Sequence, residues 1–137
     1  MGLTHAQDGR PLPLPNPTTQ PFFDAASEGV LRLPRCPRDG FFFYPRSRCP
    51  ICWQDDWSWQ EASGRGVVHS FTIDRVGHLP ALAPLLPYAL AIVELEEGPR
   101  MTARLVDCDV EKLRVGAPVV ATFEETEGVT QVHFRPA

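Results

Sequence analysis

Two short segments carry the residues best suited to chemistry: Cys36-Pro37-Arg38-Asp39 and Cys49-Pro50-Ile51-Cys52. Two intervening residues let both side chains of a turn point at one ion. A pair of such knuckles flanking an aromatic hairpin is the pattern of a zinc ribbon. Gly40 stands where a knuckle needs a left-handed residue. Asp39 occupies the place of a fourth cysteine. Three thiolates and one carboxylate carry the charge of four thiolates, and zinc accepts a carboxylate oxygen at about 2.0–2.2 Å. A hard oxygen is nevertheless the less usual donor among thiolates. Two expectations follow. Either zinc is held by Cys36, Cys49 and Cys52 with Asp39 or water as fourth ligand, or the ribbon has lost its metal and is held by Phe41–Tyr44 and the tryptophans. Either way the role is structural, because no histidine or catalytic water position is indicated. A redox role for Cys49 and Cys52 would want a surrounding βαβ unit, and an iron centre a fourth sulfur. Cys108 stands apart in VDCDV and reads as a small buried side chain.

Around the knuckles lie Arg32, Arg35, Arg38, Arg46 and Arg48, with Phe41, Phe42, Phe43, Tyr44, Trp53, Trp57 and Trp59 between and beyond them. Arginine forks beside aromatic faces can grip phosphates and stack on a base. The competing reading is that the arginine stems cover the ribbon and leave their heads in water. The histidines and hydroxyls offer less. His69 falls on the apolar face expected of the first barrel strand and His133 lies in the last strand, with no nucleophile or carboxylate partner to name. Ser63 and Ser70 lack a nucleophile-elbow setting. Asp55-Asp56 and Glu96-Glu97 adjoin turns and read as solvated loops.

The elements that must position these residues follow from composition and period. The chain has 137 residues and 15 prolines, which argue against a helical bundle and for short strands joined by turns. A net charge of −4 gives no global field for nucleic acid or anionic lipid. The start MGLTHAQDGR has no apolar core, and Pro80, Pro84 and Pro87 interrupt the uncharged stretch 76–93. The expectation is therefore a cytoplasmic protein with no membrane span.

Residues 1–19, with PLPLPNP, read as a flexible proline-rich arm. Residues 20–34 read as a short helical segment capped by Thr18 or Thr19, with Pro21 in its first turn, an apolar side at Phe22, Phe23, Ala26 and Val30, and Gly29 as its stop. Residues 35–60 form the ribbon. From 61 to 137, GRGVVHSFTIDRV, YALAIVELEEG, RMTARLVD, PVVATFEE and VTQVHFRP read as five strands, with one helical turn at DVEKLRVG after the third. In the first strand, Val67, His69, Phe71 and Ile73 are expected on one face. That order is the pattern of an OB-fold barrel, a small Greek-key barrel. The fold class is thus mainly β: a short N-terminal helical segment, a rubredoxin-like zinc ribbon and a C-terminal five-stranded OB-fold barrel.

Over residues 21–137 the sequence resembles the zinc-ribbon/OB-fold proteins associated with acyl-CoA metabolism, once known only as a domain of unknown function. The resemblance is carried by Pro21-Phe22-Phe23, Glu28-Gly29-Val30-Leu31, Arg35-Cys36, Asp39-Gly40, Tyr44-Pro45-Arg46, Cys49-Pro50 and Cys52. In the barrel its carriers are Gly64-Arg65-Gly66-Val67-Val68, Ser70-Phe71-Thr72, Pro87-Tyr88, Val93 through Arg100, Val115 through Val119 and Phe134-Arg135-Pro136. It implies an accessory or scaffold subunit without catalysis of its own, bound to a thiolase-like or hydratase/aldolase partner. The departure at Asp39 bears on the metal rather than the fold. On this reading, Phe41, Phe42, Phe43, Trp57, Trp59 and the loop residues Leu82, Leu85 and Leu86 are the expected interface with a thiolase-fold or hot-dog-fold subunit, because they exceed what a small ribbon can bury. Alternatively the chain is a stand-alone acyl-CoA-binding module using Arg35, Arg38, Arg46 and Arg48. An OB barrel binding single-stranded nucleic acid is the third and weakest reading.

Overall fold

A computed structural model of the chain describes residues 2–137; Met1, the first residue of the expected arm, lies outside them. Strands β1 (Gly2–His5) and β2 (Pro11–Leu14) pair antiparallel, with Thr4 opposite Leu12. The expectation of a loosely packed arm is corrected here: Leu12 is 3% exposed and Ala6 is also buried. Pro11 and Pro13 have no amide hydrogen, so the ladder runs through the residues between and beyond them. Gly9, at φ +86°, makes the turn. The hairpin is tied down by Glu127, whose Oε2 accepts from the Gln7 amide at 2.8 Å, and by an Arg10–Glu124 ion pair at 3.7 Å.

Helix α1 (Gln20–Ser27) follows, with Thr19 at its N-cap and Pro21 in the first turn. Thr19 Oγ1 does not cap the helix; it accepts from the Asn16 amide at 3.0 Å. The helix ends in a Schellman motif, with Val30 N–H bonded to Ala25 O, Gly29 N–H to Ala26 O, and Gly29 left-handed at φ +76°. Phe22, Phe23, Ala25 and Ala26 face inward.

Three strands make the ribbon sheet in the order β4-β3-β5: β3 (Arg32–Cys36), β4 (Gly40–Phe41) and β5 (Ser58–Glu61). Arg32–Pro34, assigned from sequence to the helical segment, are thus the start of a strand, paired with Trp59–Glu61. Pro34 is buried, and its carbonyl accepts from Phe42 N at 3.0 Å.

Five strands close the barrel in the order β10-β8-β7-β6-β9: β6 (Arg65–Asp74), β7 (Tyr88–Leu95), β8 (Arg100–Leu105), β9 (Pro118–Thr126) and β10 (Val129–Pro136). A 3-10 turn at Val110–Lys112, capped by Asp109, lies between the third and fourth barrel strands. The five expected strands are all present. The expected face of the first is corrected: the register slips between Val68 and Ser70, so His69 is bulged outward. Val68, Phe71 and Ile73 meet the core, while Val67 and His69 are exposed. One extra residue switches the face of everything before it. The core joins barrel and ribbon, with Val68, Val93 and Phe134 packed in one cluster with Leu33, Phe22 and Phe23. Closure is thinnest between β10 and β8, which pair only at Phe134 and Leu105. No helix among the described residues is long and apolar enough to cross a membrane.

Candidate functional site

The two knuckles converge. Cys36 ends β3, Asp39 lies on the turn into β4, and Cys49 and Cys52 come from the loop between β4 and β5. The donor atoms of all four lie within 4.8 Å of one another. Cys36 Sγ is 3.7 Å from Cys52 Sγ; Asp39 Oδ2 is 3.6 Å from Cys36 Sγ and 3.3 Å from Cys49 Sγ. With Zn–S near 2.3 Å and Zn–O near 2.0 Å, the corners of a tetrahedron stand about 3.8 Å apart between sulfurs and about 3.5 Å between sulfur and oxygen. The donors therefore stand at the spacing a tetrahedral ion requires, and a Cys3Asp cluster of this kind could hold a metal ion.

Each knuckle closes on a left-handed residue directly after its last donor: Gly40 at φ +81° and Trp53 at φ +63°. The first was legible in the sequence; the second was not, because tryptophan rarely adopts that backbone. Cys49 accepts the Trp53 amide through its carbonyl and the Ile51 amide through Sγ at 3.4 Å, which over-determines the turn. Cys36 and Cys49 are buried, Cys52 is half-buried and Asp39 is exposed, so the cluster opens to solvent on its carboxylate side.

Burial pushes the Cys36 thiol up, but hydrogen bonds from the backbone N–H groups of Arg38 and Asp39 and with the thiols of Cys52 and Cys49 together hold it below its usual range. Burial keeps the Cys49 thiol above its own. The Asp39 carboxyl is held low by the thiols of Cys52 and Cys49. Arg38 donates to Cys52 Sγ at 3.6 Å and to both oxygens of Asp56, which pulls the Asp56 carboxyl down.

The other candidates are dispersed. Arg35 lies over the Phe41 ring at 5.7 Å, Arg46 donates to Tyr44 O at 3.1 Å and Arg48 to Trp53 O at 3.0 Å. With Arg38 on Asp56, the four arginines serve the ribbon's own turns and do not converge on a common pocket. Phe42 is buried in the ribbon core, edge-on to Trp57, which in turn meets Trp59. Phe41 and Phe43 are half-buried against the main core. The large apolar residues left in solvent at the knuckle are Ile51 and Trp53, each 69% exposed.

Leu82 and Leu85 do not project outward either. They belong to a 3-10 turn at Pro80–Leu85 and line a cavity of about 420 Å³, while Leu86 is half-buried beside them. This cavity was not legible in the sequence. Its wall comes from β2, α1, the Phe43–Pro45 corner of the ribbon and the splayed edges of β8 and β10, segments far apart along the chain.

A three-stranded ribbon with a Cys3Asp cluster, followed by a closed five-stranded barrel, defines the zinc-ribbon/OB-fold class. Residues 23–58 match the ChsH2 rubredoxin-like zinc ribbon domain, and residues 59–124 the ChsH2 C-terminal OB-fold domain. The chain is 33% identical over 108 residues to a DUF35 domain-containing scaffold protein of Methanothermobacter thermautotrophicus, covering 74% of this chain and 80% of that protein. It is 36% identical over 130 residues to a probable enoyl-CoA hydratase alpha subunit of Thermomonospora curvata, covering 93% of this chain but 40% of that protein. A 3-oxo-4,17-pregnadiene-20-carboxyl-CoA hydratase alpha subunit of Mycobacterium tuberculosis is 35% identical over 105 residues, covering 74% of this chain but 32% of that protein. The chain thus spans well under half the length of the two hydratase subunits. Among solved structures, a chain of the Ltp2-ChsH2(DUF35) aldolase superposes with a TM-score of 0.80 at 34% identity, covering 91% of this chain and 98% of that one. A Sulfolobus solfataricus DUF35 protein shares the fold at 17% identity and a TM-score of 0.64. The chain belongs to the DUF35 family of zinc-ribbon/OB-fold proteins.

Proposed function

We propose that this chain is a non-catalytic accessory subunit that binds a thiolase-like or hot-dog-fold catalytic subunit in acyl-CoA hydration or carbon–carbon cleavage. The observation that carries the reading is the nearly end-to-end match to a chain of the Ltp2-ChsH2(DUF35) aldolase, at 34% identity. Two hydratase alpha subunits contain a stretch similar to most of this chain, which supports the same class of complex. Zinc, held by Cys36, Asp39, Cys49 and Cys52, is a structural ion in this account: it fixes the ribbon against the barrel through β3. The exposed Ile51 and Trp53 at the second knuckle replace the buried Phe42 as the ribbon's contribution to the interface.

A stand-alone acyl-CoA-binding role through Arg35, Arg38, Arg46 and Arg48 has less support, because each of the four is engaged within the ribbon. The test is purification of the tagged chain from its native host, followed by mass spectrometry and light scattering. The expected result is a stoichiometric complex with one thiolase-fold or hot-dog-fold subunit. A monodisperse free monomer would refute it.

A further inference from the structure

We propose that the cavity at the barrel seam is a binding site for an uncharged, largely apolar small molecule, and that the N-terminal hairpin is its cover. Above the single Phe134–Leu105 pair, β8 and β10 part. In the gap the amide of Thr102 donates to the Tyr44 hydroxyl at 3.2 Å instead of to a neighbouring strand. Phe22, Leu82, Leu90, Met101, Ala103 and Val132 supply apolar wall. A volume of about 420 Å³ falls within the range of small-molecule sites, which are mostly apolar with a few placed polar groups.

The charges at the wall decide the class of ligand. Arg10, Arg104 and His133 are its cationic or basic side chains. All three turn to one carboxylate: Arg104 Nη2 lies 3.2 Å and His133 Nε2 3.1 Å from Glu124 Oε2, and Arg10 Nη1 lies 3.7 Å from Glu124 Oε1. Arg10 also donates to Asp8 at 2.7 Å. Burial and the Arg104 guanidinium hold His133 below its usual range, so the imidazole is neutral. Two guanidinium groups are thus balanced by two carboxylates, and no cation is left over for a carboxylate or phosphate. Tyr88 gives its hydroxyl hydrogen to Asp74 at 2.8 Å. What remains is neutral: the hydroxyl hydrogen of Tyr44, the Thr102 hydroxyl and the Gln131 carboxamide, the last two without a side-chain hydrogen-bond partner among the described residues. Such groups suit an apolar body bearing a carbonyl or hydroxyl. An anionic ligand would have to break the Glu124 cluster, leaving a partly buried carboxylate unpaired.

The same carboxylate latches the cover. Arg10 sits at the hairpin turn, Pro11, Leu12 and Pro13 of β2 form one side of the cavity, and Glu124 on β9 ties Arg10 to the barrel.

The purified full-length chain is titrated with Nile red as neutral probe and cis-parinarate as anionic probe. Nile red is expected to bind saturably at one site, with parinarate weaker by about tenfold or more, the size of one uncompensated charge-assisted hydrogen bond. Leu90→Trp, which fills the cavity from the rim, should weaken Nile red by a similar factor. Leu82→Trp, on the loop outside the barrel, should do the same without touching a strand. Glu124→Gln removes one negative charge and loosens the cover, so Nile red should associate faster and parinarate should gain affinity relative to Nile red. The proposal is overturned if neither wild type nor Glu124→Gln binds Nile red saturably, or if parinarate binds wild type as tightly as Nile red. It is equally overturned if both tryptophan variants, folded as judged by their melting, bind Nile red unchanged.

Discussion

Cys36 Sγ and Cys52 Sγ lie 3.7 Å apart, the separation of two corners of a zinc tetrahedron, although they belong to different knuckles. Between them Asp39 presents an oxygen to Cys36 and Cys49, and the turns behind the donors are fixed by Gly40 and Trp53 in left-handed conformations. The turns of the ribbon thus bring four donor atoms to within 4.8 Å of one another.

One zinc per chain is expected by mass spectrometry of the purified protein. Cys36→Ser should lose the metal and, because structural zinc in isolated fingers is worth about 10–16 kcal/mol, should also lower the melting temperature sharply. A wild-type ratio near zero would remove the metal from the account and leave the barrel standing.

Asp39→Cys should retain metal and hold zinc more strongly against a chelator, since a fourth thiolate suits a sulfur-rich site better than an oxygen. In the cobalt form, thiolate charge-transfer absorption should rise in proportion to the added sulfur. Asp39→Ala should weaken zinc; an unchanged affinity would show that the fourth ligand is not this carboxylate.

Much of the barrel was legible because its punctuation is local. Glycines at 64, 98, 116 and 128 take positive φ values and bound the strands, and the alternation between them has period two. What escaped was set by tertiary context. The bulge at His69 leaves no composition signal, so the faces of β6 before it were read inverted. The tract PLPLP is extended, as proline requires, but nothing local shows that Leu12 lies against the barrel. Leu82 and Leu85 look like an outward docking loop until β8 and β10 are seen to part beneath them. In the site, the C-x2-D and C-x2-C spacings revealed the four donors, whereas the arginines around them had partners that only the folded ribbon supplies.

Gly66 tests the barrel. A Cβ at that position would stand 2.6 Å from the Glu94 backbone oxygen and 2.8 Å from a Val93 methyl. Gly66→Ala should therefore destabilise by roughly 1–3 kcal/mol, as overpacking does, read as a lower urea midpoint at unchanged m-value. An unaltered midpoint would contradict the close approach of β6 and β7.

His133 gives a pH dependence with a definite sign. Its folded-state pKa lies below the usual 6.5, chiefly through burial. Between the two values the unfolded chain binds more protons, so stability is full above about pH 6.5 and declines as pH falls toward the folded value. The difference in urea midpoint between wild type and His133→Asn should shrink from pH 7.5 to pH 5.5. Taking the difference cancels the acid sensitivity of the thiolate cluster. A difference that grows on acidification would mean that the imidazole is charged in the folded state.

The most direct test of the accessory-subunit account is turnover. The chain, the catalytic subunit that copurifies with it, and the reconstituted complex should each be assayed for hydration and retro-aldol cleavage of acyl-CoA thioesters. No turnover is expected from this chain alone, and full activity only from the complex. Turnover by the isolated chain, or a catalytic subunit equally active without it, would contradict the account.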